Sequence, residues 1–469
     1  MEIEHRFPRE ACGVFGIYGH KDASRLAYLG LYALQHRGEE SAGIVSYDGK
    51  KIFSCKAQGL VREVFSEANI KSLKGHLAIG HNRYSTTGSS TVKNIQPFLV
   101  NFKNAPIAVA HNGNLVNTVQ LHKILEKEGS IFQTTMDSEI VVHLIAKAKD
   151  KEIKDRVVGA LKQLSGSYSL VLMIDNCLIG ARDPGGFKPL CLGQVDGAYV
   201  LASETCALDL IGATYLRDID PGEIVFINKE GLISLKPFAA KKNSFCIFEF
   251  IYFARPDSNI FGNHNVYLAR KSLGEQLAQE FPKVNADLIT PIPDSGVYAS
   301  VGFAQKSSMP FEMGMIRNHY VGRTFIQPSQ AIRNFRVKVK LNPIKDVIKD
   351  KKIVIVEDSI VRGTTSKGRV RALREAGAKE IHMGVTCPPL KFPCFFGIDF
   401  PTKKELIASS HSVEWIRDFI GVDSLKYLSK EGMLKAMPLP KENFCTACFD
   451  GCYPVKPCKR ISKDVLEKE

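Results

Sequence analysis

The segment KIVIVEDSIVRGTT, residues 352–365, decides the fold of the second half of the chain. Its apolar strand, residues 353–356, ends in two acids, Glu357 and Asp358. A loop with Gly363 and two threonines follows, and then helical text over residues 365–377. Ligands of open α/β sheets bind at the carboxyl ends of strands, and a helix N-terminus presents free N–H groups to a phosphate. Neighbouring carboxylates can hold Mg²⁺ or the hydroxyls of a sugar beside that phosphate. Two acids before a turn also serve as plain helix caps. The whole combination is much rarer, and it points to a sugar-phosphate ligand.

The text around this segment has the same rhythm. Helical patterns over 266–280 and 296–306 alternate with strands over 287–291 and 352–356, as in a parallel βαβ sheet. ITPIPDSG, residues 289–296, is a second strand-to-turn element. Residues 317–343, RNHYVGRTFIQPSQAIRNFRVKVKLNP, form a long basic stretch rich in turn residues. These features together resemble the 5-phosphoribosyl 1-pyrophosphate (PRPP) signature of type I phosphoribosyltransferases. The resemblance implies that Asp358, Ser359, Ile360, Val361, Arg362, Gly363, Thr364 and Thr365 surround the ribose 5-phosphate. It implies that Glu357 and Asp358 face the ribose hydroxyls and Mg²⁺, with Ser295 beside the metal. The basic stretch, including Arg323 and Lys340, then looks like a lid that closes to exclude water.

The first half has a different texture. Short apolar runs, CGVFGIYGH (12–20), LAIGHNRYS (77–85), IAVAHNGNL (107–115), YSLVLMIDN (168–176), YVLASE (199–204) and EIVFIN (223–228), read as strands. Helical patterns fall at 23–36 and 137–149, so layered sheets with helices outside are expected. Cys12 heads a strand, where a cysteine is more often packing than nucleophile. Three polar knots shift that balance. Asn112 and Gly113 in a tight turn supply a side-chain amide and a backbone N–H, the two donors of an oxyanion hole. Arg83 can fork onto a carboxylate and Asp137 can accept an ammonium, the pair that a free amino acid requires. Each also has an ordinary reading, as a turn Asn, a surface Arg and a helix-cap Asp. With LQHRGEESAGI (34–44), these knots resemble the glutaminase of N-terminal-nucleophile (Ntn) amidotransferases. That resemblance implies a propeptide of residues 1–11, removed so that the Cys12 α-amine serves as base for its own thiol. His36, His81, His111 and His143 are then structural.

An Ntn glutaminase followed by a PRPP domain resembles the amidophosphoribosyltransferase family, supported by FEFIYFARPDSNI (248–260) and ELIASSHSVEWI (405–416). The fold class implied is α/β and α+β, an Ntn αββα sandwich followed by a phosphoribosyltransferase parallel sheet. The expected boundaries are a propeptide 1–11, a glutaminase 12–235, a linker 236–257, a transferase 258–440 and a tail 441–469. The implied reaction opens de novo purine synthesis from PRPP and glutamine, in a homotetramer inhibited by purine nucleotides. Mg²⁺ and a [4Fe–4S] cluster are the implied cofactors. By resemblance to the cluster-bearing branch, the cluster's ligands are Cys246, Cys394, Cys445 and Cys448. By spacing alone, Cys445 and Cys448 with Cys452 and Cys458 also suit a small zinc site.

Composition sets the outer limits. The 469 residues are 44% hydrophobic and 24% charged, which excludes wholesale disorder and allows two to four domains. No run is long enough to span a membrane, and residues 1–11 lack the apolar core of a secretory signal. Twelve cysteines without an export signal suggest a reducing cytoplasm. Cys177, Cys191 and Cys206 read as small core residues. The net charge of +14 first suggests nucleic acid. Residues 321–380, however, hold fifteen Lys or Arg against six Asp or Glu, around the proposed phosphate loop and lid. A small polyanion is the better partner, with no nucleic acid and no membrane. A PRPP-binding regulator that keeps only the fold is the alternative, and a hexosamine-phosphate synthase a third; the chain's nucleophile weighs against the first and its PRPP motif against the second.

Overall fold

Strand Gly13–Tyr18 is buried along its whole length because both of its faces are covered. It lies in a seven-stranded antiparallel sheet, in the order Thr214–Asp218, Cys191–Val195, Ala198–Ala202, Gly13–Tyr18, Leu77–Arg83, Ser41–Tyr47, Ile52–Gln58. A second, six-stranded sheet runs Gly231–Leu235, Ile224–Asn228, Cys177–Arg182, Gly166–Ile174, Ala105–Leu115, Phe98–Phe102. Between the sheets, Val14, Val45 and Ile79 of the first meet Ala108, Val171 and Leu178 of the second. Each fully buried aliphatic side chain here contributes about 1.5–3 kcal/mol. Helix Ala23–Ala33 covers the outside of the first sheet through Ala27 and Leu31. Helices Thr118–Lys127, Ser138–Lys147 and Ile153–Leu161 cover the second. The result is the expected αββα sandwich. The computed structural model describes residues 12–84, 91–102, 105–318, 341–400 and 402–457. Residues 1–11, most of the basic stretch with Arg323 and Lys340, and Cys458 lie outside them.

The helix expected over 23–36 stops at Ala33 and continues as a 3-10 turn, Gln35–Arg37. The physical reason is Arg37, whose side chain turns inward to two buried carboxylates instead of following the helix face.

The second half contains a four-stranded parallel sheet, in the order Leu288–Pro291, Lys352–Glu357, Glu380–Val385, Ser424–Tyr427. Ile353, Val354, Ile355 and Val356 are fully buried, as the unbroken apolar run of a doubly covered strand requires. Helices Val266–Glu280 and Val297–Ser307 lie close together through glycines. A Cβ on Gly274 would sit 1.8 Å from Ala299 O, and one on Gly302 would sit 2.0 Å from Lys271 O. This contact fixes the helix that follows residues 289–296, and so the turn they form.

The expected linker, 236–257, divides in two. Its polar start, residues 236–243, carries exposed lysines, but Phe245, Ile247, Phe248, Phe250, Ile251 and Phe253 are buried in the second core. Aromatic side chains of this size cannot remain in a solvated connector, so from Phe245 onward the segment is part of the domain it precedes. It also docks on the sandwich: Ser244 N–H donates to Gly185 O (2.7 Å) and Cys246 N–H to Phe187 O (3.0 Å).

Candidate functional site

Cys12 stands immediately before strand Gly13–Tyr18 and is buried. Its thiol donates to Tyr84 O (3.2 Å) and accepts the Tyr84 N–H (3.4 Å). Its carbonyl accepts from Arg37 Nε (3.2 Å). Burial pushes the thiol up to about 12, against the pull of Arg83, while Glu40 and Asp137 push the same way as burial. Sequence-distant Arg83 and Asp137 are therefore both electrostatic neighbours of Cys12.

Strand Ala105–Leu115 carries the next expected site residues. Asn112 is fully buried, and neither atom of its amide has a hydrogen-bond partner among the described residues. A buried, unsatisfied amide costs about 1–3 kcal/mol and is kept only where something else requires it. Gly113 has φ +150°, and a Cβ there would lie 2.1 Å from Ser167 O. The tight turn expected at these two residues is absent: both lie inside strand Ala105–Leu115, paired opposite Ser169 and Tyr168, and only glycine fits at the second position.

Asp137 does occupy the cap position of helix Ser138–Lys147, but its side chain makes no capping bond. Its carboxylate accepts the Leu115 N–H (2.9 Å) and pairs with His111 Nδ1 (3.4 Å). Burial opposes the charge on Asp137, yet His111 and the N–H donors hold its carboxyl below the ordinary value. Burial likewise works against charge on His111, and Asp137 more than offsets it, so His111 is raised. His111 is thus structural, as expected, but its task is specific: it holds Asp137. His81 Nε2 donates to His111 O (3.1 Å), and burial pushes His81 down to about 3, which keeps it neutral.

A buried charge network beneath Cys12 has no simple signature in the sequence. Arg37 is fully buried and pairs with Glu204 and, at 3.0 Å on two bonds, with Glu249. Lys188, also buried, donates to Glu249 (3.0 Å). Glu204 further accepts from the Ser258 hydroxyl (2.6 Å) and the Arg255 N–H (2.8 Å). Two cations and two anions balance, and they join the sandwich to the junction segment. Arg37 lies within the quoted LQHRGEESAGI motif, but its partners are 167 and 212 residues away.

At the carboxyl end of the parallel sheet, Asp358 accepts from Ser295 (2.5 Å) and from Ser359 (2.6 Å). The two expected loops therefore meet at one carboxylate. Glu357 Oε1 accepts from Arg369 (2.5 Å), while Oε2 is buried without a hydrogen bond among the described residues. Burial pushes Glu357 up to about 7 despite that guanidinium. Arg369, one helix turn beyond the expected loop, was not read as a site residue. Gly363, φ +75°, begins helix Thr364–Glu375, so Thr364 and Thr365 supply its first N–H groups. Arg362 pairs with Glu405 (2.5 Å) instead of facing open solvent.

The four cysteines of the expected cluster also converge. Strand pairing sets Cys246 opposite Cys445, and Cys394 and Cys448 lie in the same electrostatic neighbourhood. Burial raises all four thiols, to about 11 for Cys246. Among the described residues, no three His, Cys, Asp or Glu converge tightly enough for a single metal ion. Cys452 is exposed, apart from the four.

Comparison with known proteins agrees with both halves. Residues 81–210 match the glutamine amidotransferase domain family. The amidophosphoribosyltransferase of Bacillus subtilis is 50% identical over 461 residues, covering 97% of this chain and 96% of the relative. Amidophosphoribosyltransferase 1, chloroplastic, of Arabidopsis thaliana is 52% identical over 454 residues, covering 96% and 80%. A solved structure of the B. subtilis glutamine PRPP amidotransferase complexed with ADP and GMP superposes with a TM-score of 0.90 at 49% identity, covering 96% of this chain and 98% of that one.

Proposed function

Because the chain belongs to the amidophosphoribosyltransferase family, we propose that its two halves carry out the family's reaction with the residues that converge in each. Glutamine, water and PRPP give 5-phosphoribosylamine, glutamate and pyrophosphate, the first step of purine biosynthesis. In the first half, residues 1–11 are removed, and the freed α-amine of Cys12, with an ordinary pKa of ~7.7–8.0, takes the thiol proton. Arg83 binds the substrate carboxylate and Asp137 the ammonium. The thiolate attacks the γ-carboxamide, Asn112 and the Gly113 N–H receive the developing oxyanion, and the leaving ammonia takes the proton. Water then hydrolyses the γ-glutamyl thioester. The convergence of Arg83 and Asp137 on the buried Cys12 thiol supports this reading most strongly, and the unpartnered amide of Asn112 among the described residues adds to it.

Processing carries its own test. A thiol held near 12 has a thiolate fraction of only about 10⁻⁴ at pH 8. A chain whose first residue is Cys12 is expected to react with iodoacetamide at pH 8 at least about 100-fold faster than one carrying residues 1–11, followed by mass spectrometry of the Cys12 peptide. Equal rates would remove the α-amine from the mechanism.

In the second half, residues 358–365 hold the ribose 5-phosphate. Asp358 and Ser295 present hard oxygen donors, and Glu357 adds a buried oxygen without a partner, a set that fits Mg²⁺ bound largely through substrate phosphates. Bound there, Mg²⁺ supplies positive charge to the departing pyrophosphate. Asp358→Asn is expected to lower glutamine-dependent and ammonia-dependent synthesis together, by about 100-fold, as loss of a charged substrate contact does. Loss of only one of the two reactions would place Asp358 elsewhere.

The four thiols, one buried and three half-buried, fit a [4Fe–4S] cluster: they come from the junction, the transferase and the tail, and the buried Lys188 ammonium faces Cys246 and Cys394. Iron and sulfide analysis decides it. A reducing compartment such as the cytoplasm suits thiols of this kind. Inhibition by purine nucleotides belongs to the same reading, supported by the relative solved with ADP and GMP, as does a homotetramer, which rests on the family alone. The decisive assay is glutamate release from glutamine by protein whose N-terminus is Cys12. Release should rise when PRPP is added, with phosphoribosylamine formed in equal amount.

A further inference from the structure

The strand end that carries Asn112 and Gly113 does not rest on the sandwich alone. The Asn114 side-chain amide donates to Phe395 O (3.1 Å), across 281 residues of sequence. Gly397, φ +96°, lies backbone to backbone against Gly113: a Cβ there would be 2.9 Å from the Gly113 Cα and carbonyl carbon, and 3.0 Å from its oxygen. Phe396 packs on Phe187, with ring centroids 4.4 Å apart, in a buried cluster that includes Val116 just beyond the same strand. On the opposite side, a Cβ on Gly113 would lie 2.1 Å from Ser167 O of strand Gly166–Ile174, with which Gly113 is paired. This part of the strand is therefore held between its own sheet and a segment of the second half. That segment is seated in turn by Tyr453, whose hydroxyl donates to Pro393 O (2.8 Å) and whose ring lies 5.0 Å from Phe395.

We propose that residues 395–397 form the outer wall of the oxyanion hole, and that Gly397 is a positioning residue for glutamine hydrolysis. The proposal rests on the reading that Asn112 and Gly113 receive the oxyanion. Its physical basis is preorganisation. Donors stabilise a developing charge only if they are already aimed at it, and a displacement of about 1 Å can cost about 100-fold. An amide as costly to bury as Asn112 would relax towards a partner if its strand could move. A wall of bare backbone leaves it no such freedom. The glutaminase is then complete only when the loop following Cys394 is in place.

Two variants test this on the full chain with mature Cys12. Gly397→Ala drives a methyl group against Gly113 and strains a left-handed residue. Phe396→Leu loosens the wall without asking anything new of the backbone. The expected result is a fall in kcat for glutamine hydrolysis of about tenfold or more in the first and about threefold in the second, smaller than removal of an oxyanion donor outright. KM for glutamine and ammonia-dependent synthesis should stay within about twofold, because Arg83, Asp137 and the PRPP site are untouched. Affinity for glutamate γ-semialdehyde, which adds the Cys12 thiol to form a tetrahedral hemithioacetal, should fall in step with kcat, whereas affinity for glutamate should not. Unchanged kcat in both variants overturns the proposal. So does a loss carried by KM, or an equal loss of the ammonia reaction in both variants. Asn112→Ala separates the two levels. If it retains kcat, the oxyanion reading fails and the wall with it; if it loses kcat while Gly397→Ala does not, only the wall fails.

Discussion

Cys12→Ala is expected to lower glutamine-dependent formation of phosphoribosylamine by at least ~10⁴-fold, while ammonia-dependent formation stays within about twofold. The size follows from the chemistry. Without the thiol no acyl intermediate forms, and only the oxyanion donors and substrate contacts remain to assist water. The selectivity follows from the fold. Cys12 lies in the antiparallel sandwich, whereas Asp358 and Ser295 lie at the carboxyl end of a separate parallel sheet with its own core. Alanine also removes little packing, since the thiol's described bonds are both to the Tyr84 backbone. Measuring both reactions on one preparation gives the ratio directly. A parallel loss of the two would mean that Cys12 supports the structure, not the chemistry.

Arg37→Met is expected to destabilise the folded protein by about 3–5 kcal/mol at neutral pH, the cost of leaving buried carboxylates without their main partner. Lys188 remains beside Glu249 and His36 beside Glu204, so the pair is weakened and not stripped bare. The effect depends on pH, with a definite sign. Burial pushes Glu204 and Glu249 up, but His36 and Arg37 at the first, and Arg37 and Lys188 at the second, hold both below the ordinary glutamate value. Carboxylates depressed on folding contribute stability that is present above their unfolded pKa and lost as pH falls through their folded values. Methionine releases that depression, so the variant should begin to lose stability at a higher pH than the parent. The gap between the two should narrow towards strong acid, where the parent's carboxylates are protonated as well. Urea unfolding at pH 7.5 and at pH 4 measures both. Equal gaps at the two values would mean that the network is not what Arg37 supports. Because Arg37 Nε also holds the Cys12 carbonyl, glutamine hydrolysis should fall further than ammonia-dependent synthesis in the same variant.

Much of this was legible without coordinates, for reasons that can be named residue by residue. Residues 352–357 could be read as a buried strand because an unbroken run of β-branched side chains has few other uses, and Gly363 before two threonines could be read as a phosphate turn because φ > 0 and free N–H groups are local properties. Gly113 was legible as a position for glycine, but the turn expected there is strand, because pairing with strand Gly166–Ile174 continues through Asn112 and Gly113. Asp137 was legible as an anion, but not as one held by His111. Phe245 to Phe253 were misjudged as connector because the polar residues before them signalled a boundary, while the surface that covers them comes from elsewhere in the chain.

The sequence by itself determined the family and its two-part fold, through residues 34–44, 107–115 and 352–358. Each is a short pattern legible within a dozen residues. Only the tertiary structure decided that Arg37 closes a charge network with Glu204 and Glu249, that Arg369 holds Glu357, and that Gly397 stands against Gly113. Those partners lie from 12 to more than 200 residues apart. A buried charge takes its counter-ion, and a bare backbone its wall, from whatever the packed core brings within a few ångströms, and distance along the chain carries no record of that.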